Sequence, residues 1–242
     1  MNKVYYHTFA PSENSVNIII DYFKKCLVDN FFNKIDQFNV ILTGDFQQIA
    51  YNEMKKLSDD KKINFIIKEK ASEGETLLLL YDEASNEDKI LYFHSKGVTQ
   101  MNSFCFNNVK AWSNKLLYFL VDKAEDCLNF LDNYDLVGAN YWGEHTTDDC
   151  HKSCNQDKKP PPHFSGNFWW TRGDYIKKLS RPENLQRDSH INGKTDQDPE
   201  FWIFSTRPIR IAAMSNIKIN PYIDPSLFES YKDETPTFSL IN

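Results

Sequence analysis

Side chains able to do chemistry gather in a few stretches of this 242-residue chain. Glu144-His145-Thr146-Thr147-Asp148-Asp149-Cys150-His151-Lys152-Ser153-Cys154 holds two thiols, two imidazoles and three carboxylates, which on count alone could ligate zinc. Structural zinc wants two separated ligand pairs, and Cys26, Cys105 and Cys127 fall in helical stretches elsewhere, so the segment reads as a polar surface loop. A Cys150–Cys154 disulfide is geometrically allowed but ill suited to a reducing compartment. The run His163-Phe164-Ser165-Gly166-Asn167-Phe168-Trp169-Trp170-Thr171-Arg172 is the most unusual stretch, because Ser165-Gly166-Asn167 lets the backbone turn tightly beside large aromatics. Successive strand residues face opposite ways, so one of Trp169 and Trp170 is expected in the core and the other against a cleft. There an indole face would suit the apolar face of a sugar ring. Asp196, Asp198 and Glu200 precede a late helical pattern, where carboxylates also serve as caps and complement the helix dipole.

Other chemistries lack their signatures. No G-x-G-x-x-G follows the first strand and no G-x-x-x-x-G-K-[ST] occurs, which removes support for a dinucleotide site or a P-loop. No G-x-S-x-G elbow is present to supply a hydrolase nucleophile. A net charge of −6, from 28 basic and 34 acidic residues, provides no electrostatic footprint for nucleic acid or an anionic membrane. Apolar runs such as Val16–Ile20 and Thr76–Tyr81 fall far short of the roughly 20 residues of a spanning helix. The start, Met1-Asn2-Lys3-Val4-Tyr5-Tyr6, enters a strand-like pattern with no signal-peptide design. Together with five sparse cysteines, this leads to the expectation of a cytoplasmic protein with reduced thiols.

The elements that must position these residues follow from periodicity. A strand over Lys3–Phe9, a helix over residues 15–34, a strand over 38–44, a helix over 46–57, a strand over 63–67, a helix over 73–84 and a strand over Lys89–His94 alternate in the first 95 or so residues. That alternation predicts an α/β fold with a mostly parallel sheet, whose functional edge lies at the carboxyl ends Phe9, Gly44, Lys68 and His94. A long helical stretch over 104–131, a strand over 136–142, a long loop over 144–163, a strand over 168–171, a helix over 173–179 and a helical start at 198–204 follow. Pro221, Pro225 and Pro236 punctuate a tail. Hydrophobic residues at 40% and aromatics at 14% suffice for a real core. No repeat, low-complexity tract or domain boundary is visible, so 1–242 reads as a single domain.

This order of elements carries a resemblance. Ser72-Glu73-Gly74 opening a helix, the strand ending Ile90-Leu91-Tyr92-Phe93-His94-Ser95-Lys96-Gly97, then Val137-Gly138-Ala139-Asn140-Tyr141-Trp142, the His163–Trp170 run and Asp198-Pro199-Glu200-Phe201-Trp202-Ile203 together resemble small GT-A-fold glycosyltransferase domains of bacteria and large DNA viruses, over roughly residues 1–215. The resemblance implies a GT-A-type (Rossmann-like) mixed, mainly parallel sheet flanked by helices. It divides the chain into a nucleotide-sugar-binding half (1–100), an acceptor and catalytic half (101–215) and a C-terminal tail (216–242). It further implies transfer of a sugar from a nucleoside-diphosphate donor to a glycan or other hydroxyl acceptor in carbohydrate biosynthesis, with inversion and with a carboxylate general base supplied by Asp198 or Glu200. Thr8, Phe9 and Ala10 would face the base of the donor and the stretch 70–75, with Lys70, Gly74 and Glu75, its ribose. Asn167, Trp169 and Trp170 would face the acceptor, with Arg172 orienting the turn or neutralising phosphate, or else paired structurally with a carboxylate.

One departure from the family's pattern bears on metal use. Where such proteins carry a D-x-D motif for Mn²⁺ or Mg²⁺, this chain reads His94-Ser95-Lys96, a poor donor set for a hard cation. The expectation is therefore transfer without a resident metal, Lys96 supplying charge to the leaving diphosphate, with Mn²⁺ or Mg²⁺ held through Asp82, Glu83 or Asp148-Asp149 as the alternative. The rival class is a carbohydrate-binding or scaffold module that keeps the cleft without catalysis. A crowded acidic cluster facing one cleft distinguishes the enzyme from the module. A nucleotidyltransferase would need paired metal-binding carboxylates, which the sequence does not supply.

Overall fold

The β-branched and aromatic run at the start forms β1 (Asn2–Phe9), and its two faces enter two different cores: Val4 and Tyr6 one, Tyr5 the other. Ser12 then caps α1 (Glu13–Cys26) through a reciprocal pair of bonds with Ser15. The computed structural model describes residues 1–143, 161–186, 189, 194–215 and 234–242. Within these the order continues as α2 (Asp29–Phe32), β2 (Gln37–Thr43), α3 (Gln47–Leu57), β3 (Ile63–Ile67), α4 (Glu73–Glu83), β4 (Lys89–His94), α5 (Phe106–Leu117), α6 (Ala124–Phe130), β5 (Leu136–Gly138), β6 (Tyr141–Trp142), β7 (His163–Phe164), β8 (Trp169–Arg172), α7 (Gly173–Ile176), β9 (Ile209–Ala213) and β10 (Thr237–Ile241).

Eight strands form one sheet in the order β10-β9-β5-β8-β4-β1-β2-β3, and β6 pairs with β7 in a small ribbon. The pairs β1·β2, β1·β4, β2·β3 and β5·β9 are parallel, while β8 runs antiparallel to both β4 and β5, and β10 antiparallel to β9. The chain thus forms the expected mixed, mainly parallel sheet flanked by helices. After β1 the strands step outward to β3, then return to the other side of β1 as β4. The β1–β4 seam is accordingly the point where strand order reverses, and a crevice opens there outside the carboxyl ends. His7 and His94 are register partners at that end.

Both faces of the sheet are covered. One core gathers Val4, Phe23, Phe38, Phe93, Leu116 and Trp170 under α1, α3, α5 and α6; the other gathers Tyr5, Leu77, Tyr92, Trp169, Tyr175 and Trp202 under α4 and α7. Several elements differ from the expected pattern. The first helix stops at Cys26 because Val28 is extended (φ −66°, ψ 130°), and the short α2 then turns Phe31 edge-on toward the Trp170 ring, 6.4 Å away. The helical stretch 104–131 is interrupted by a π-helical turn, Tyr118–Asp122, whose run Phe119-Leu120-Val121 is wholly buried. In that turn the Leu120 carbonyl accepts the Trp170 indole N–H at 2.8 Å. The strand expected over 136–142 breaks in two at Asn140, which has φ 57°. Strands β9 and β10 were not among the expected elements, and the helical start at 198–204 is a 3₁₀ turn, Trp202–Phe204. The loop with Glu144, Asp148, Asp149, Cys150 and Cys154, and most of the tail, lie outside the described residues.

Candidate functional site

At the carboxyl ends of β1 and β4 lies a cleft of about 420 Å³, whose lining includes His7, Glu73, His94, Lys96, Asp198 and Glu200. It adjoins a second hollow of about 480 Å³ that shares Phe9, Ala71 and Ser72 with it and continues to Asp45, Lys70 and Glu75 beyond the ends of β2 and β3. Together they form a trough across the sheet edge, each part within the size of small-molecule sites.

Local sequence fixes the polar side chains. Ser72 caps α4 in a box with Glu75, whose Oε2 accepts the Ser72 amide at 3.1 Å, and this sets Glu73 at the first helical position, facing the strand ends. Glu73 Oε2 accepts from Tyr92 OH (3.3 Å) and Asn167 Nδ2 (3.2 Å), while Oε1 lies 3.4 Å from His94 Nδ1. His94 Nε2 donates to the Gly166 carbonyl at 2.9 Å, and the Gly166 amide donates to Glu200 Oε1 at 3.3 Å. The turn that makes this link needs glycine. Gly166 has φ 101°, and a Cβ there would stand 2.8 Å from Leu116 Cδ1. Asn167, also left-handed at φ 56°, donates to the Pro199 carbonyl and accepts the Trp169 indole N–H at 2.8 Å. Asp198 is buried and its Oδ1 accepts the Glu200 amide at 3.0 Å. Lys96 Nζ sits 4.6 Å from the Trp112 ring centroid, a cation over an aromatic face.

The charges interact across this space. Burial works to raise the Glu73 pKa, but His94, His7, Lys96 and the Asn167 amide outweigh it and bring it down to about 2. Burial likewise opposes ionisation of Glu200, and Lys96, His163 and the Gly166 amide overcome it, leaving that carboxyl below its usual value despite Glu73 nearby. Burial lowers His7 to about 4 and lowers His94 too, in both cases against the attraction of Glu73. Near neutral pH the cleft therefore holds ionised carboxylates beside neutral imidazoles.

The residues named from sequence divide into two groups. Phe9, His94, Ser95, Lys96, Asn167, Asp198 and Glu200 line the cleft, and Lys70 and Glu75 line the adjoining hollow. The others are held elsewhere. Thr8 is buried, its hydroxyl donating to the Ile41 carbonyl, and Ala10 is buried with its backbone tied to Thr43 and Phe46. Gly74 is buried under Leu185. Trp169 and Trp170 do face opposite ways, but helices cover both faces, so each ring enters a core and neither lines the cleft. Arg172 pairs in register with Lys89, at the far end of β4 from the cleft, and its guanidinium binds Asp135 and Asp174. Asp196 is exposed. Glu73 falls within the stretch 70–75 expected near the ribose but was not singled out, and His7 was not picked out at all. An acid at a helix start is ordinary dipole complement, and only the position of His7, a polar group near the carboxyl end of a central strand, could have flagged it.

A divalent ion suits the strand end poorly. Ser95 Oγ accepts the Phe9 amide at 2.9 Å, His94 Nε2 is spent on the Gly166 carbonyl, and Lys96 is a cation, so His94-Ser95-Lys96 does not fit Mn²⁺ or Mg²⁺. Among the described residues no group of three or more His, Cys, Asp or Glu side chains is arranged to hold a metal ion. Among the described residues, too, no helix is long and apolar enough to cross a membrane.

Residues 5–208 match the model of a domain family of unknown function, DUF8361. The chain belongs to that family. None of the curated proteins matches the sequence. Among solved structures, mannose-6-phosphate isomerase from Helicobacter pylori is 12% identical, with 78% of this chain and 76% of that one covered and a TM-score of 0.42. The 4-diphosphocytidyl-2C-methyl-D-erythritol synthase from Anaerococcus prevotii is 11% identical over 82% and 85% of the two chains, with a TM-score of 0.42. Glucosyl-3-phosphoglycerate synthase from Mycobacterium tuberculosis, in complex with UDP, is 14% identical over 73% of this chain and 59% of that one, with a TM-score of 0.38. These identities and scores are too low to transfer an activity to this member of DUF8361.

Proposed function

We propose that this DUF8361 protein is a GT-A-type glycosyltransferase that moves a sugar from a nucleoside-diphosphate donor to a hydroxyl acceptor with inversion, using Glu200 as the base. The observation that carries this reading is the cleft at the β1–β4 seam, where Lys96 shares one hollow with the carboxylates Asp198 and Glu200 and the adjoining hollow has room for a nucleoside. Two of the three late acids share that cleft, which favours the enzyme over a binding module. Each carboxylate accepts one backbone amide, and Glu200 is preferred because Asp198 is 2% exposed whereas Glu200 is only half-buried. Its lowered pKa keeps it ionised near neutral pH, the form a general base must have, at the expense of some basicity.

In the proposed step the acceptor oxygen attacks the anomeric carbon from the face opposite the diphosphate. Its proton passes to the Glu200 carboxylate, and the carbon–oxygen bond to the diphosphate breaks, that electron pair leaving with the phosphate oxygen beside Lys96. Phe9, Lys70 and Glu75 would hold the nucleoside end in the adjoining hollow. The test is turnover of Glu200→Gln and Asp198→Asn. Glu200→Gln is expected to lose roughly 10²- to 10⁴-fold in rate while still binding nucleotide. Undiminished turnover in folded Glu200→Gln would overturn the assignment, and a loss confined to Asp198→Asn would move the role to Asp198.

A further inference from the structure

We propose that His94 is a positioning residue for Glu200, acting through Gly166. The two side chains lie on segments far apart in sequence, and each holds a different group of the same glycine: His94 Nε2 donates to the Gly166 carbonyl (2.9 Å), and the Gly166 amide donates to Glu200 Oε1 (3.3 Å). The turn is also held by Glu73, whose Oε2 takes the amide of Asn167, the next residue. Asn167 also donates to the Pro199 carbonyl, immediately before Glu200. The turn is thus pinned on both sides.

The chemistry of such a relay is specific. A carboxylate that accepts a backbone N–H is stabilised in its ionised form, so anything that lets Gly166 rotate raises the Glu200 pKa. Charged and titratable groups facing the relay are Glu73, His7 and Lys96 around His94, with Lys96, His163, Glu73 and Asp198 around Glu200. At neutral pH His94 is uncharged, since burial lowers its pKa; when protonated it also acts on Glu200 directly by charge, and His94→Gln, neutral at every pH, separates that effect from the hydrogen bonds.

The test needs no substrate. In protein labelled with ¹³C at the glutamate carboxyls, with the Glu200 signal assigned from Glu200→Gln, the Glu200 titration midpoint is expected to rise by about one pKa unit in His94→Ala, the size set by one hydrogen bond to a charged group. It is expected to return to the wild-type value in His94→Gln, whose amide can still donate to the Gly166 carbonyl. In the wild-type protein the Gly166 amide proton should shift with the same midpoint as the Glu200 carboxyl carbon, a measurement that stands even where a variant fails to fold. An unchanged midpoint in folded His94→Ala, or different midpoints for the Gly166 amide and Glu200, would overturn the relay. The role of the relay in turnover rests on the transferase reading. A failed titration would leave that reading standing, while a protein inactive with every donor would remove the reading and leave the titration result intact.

Discussion

Replacing Asn167 by alanine tests whether the turn below the cleft is the knot described here. Its side chain is buried and makes three hydrogen bonds, and its backbone is left-handed at φ 56°. Truncation leaves the Trp169 indole N–H, in a wholly buried ring, without its acceptor, which costs roughly 1–3 kcal/mol. The lost bond to the Glu73 carboxylate adds about 1.5–3 kcal/mol, and alanine in a left-handed conformation another ~1–2 kcal/mol. These effects share one site and overlap, so the expected loss in urea unfolding is about 3–5 kcal/mol. Asn167→Gly separates the causes: glycine tolerates the positive φ, so it should lose about 1 kcal/mol less than alanine while forfeiting the same hydrogen bonds. A loss below about 1 kcal/mol for Asn167→Ala would refute the reasoning, and equal losses for the two variants would refute its backbone part.

Trp170→Ala should cost about 3–5 kcal/mol of stability, read by the same unfolding assay, because the ring is fully buried and its N–H is bonded to Leu120. A binding defect without a stability defect would instead mark Trp170 as a ligand platform. His7, lowered to about 4 against an ordinary 6.5, gives a definite pH dependence. Between those values the unfolded chain binds a proton that the folded chain refuses, so stability falls as pH falls through that window, by about 2 kcal/mol between pH 7 and pH 5. Comparing unfolding of wild type and His7→Gln at both pH values checks this: the variant should lose that part of the dependence, and identical slopes would count against it.

The sheet was legible because its strands announce themselves. Lys89–His94 is an apolar strand between polar residues, and Ile63–Ile67 likewise, and both occupy the expected spans. The end of β4, and with it His94, Ser95 and Lys96, followed from that order. Strand β9, at the far side of the sheet, is five residues long after Pro208 and exists through its pairing with β5 and β10, which no local pattern records. The Trp pair shows a different gap. Alternation along β8 correctly separates the two rings, but whether the outer face of a strand meets solvent or a helix depends on layers formed by distant segments. Arg172 illustrates the same point, since only the antiparallel run of β8 carries it away from the cleft to Asp135. Glu73 belongs to the site because α4 begins beside β4 in space, a juxtaposition absent from its own neighbourhood in sequence.

The central claim is most directly tested by nucleotide binding. Thermal shift with UDP, GDP, CMP and TDP, each with Mn²⁺ and with a chelator, reads binding to the native state by mass action, where ligand at 100 times its Kd is worth about 2.7 kcal/mol. The account predicts that one nucleoside diphosphate raises the melting temperature even with chelator present, and that Lys96→Met abolishes the shift. The absence of any shift, for every nucleotide in both conditions, would contradict it.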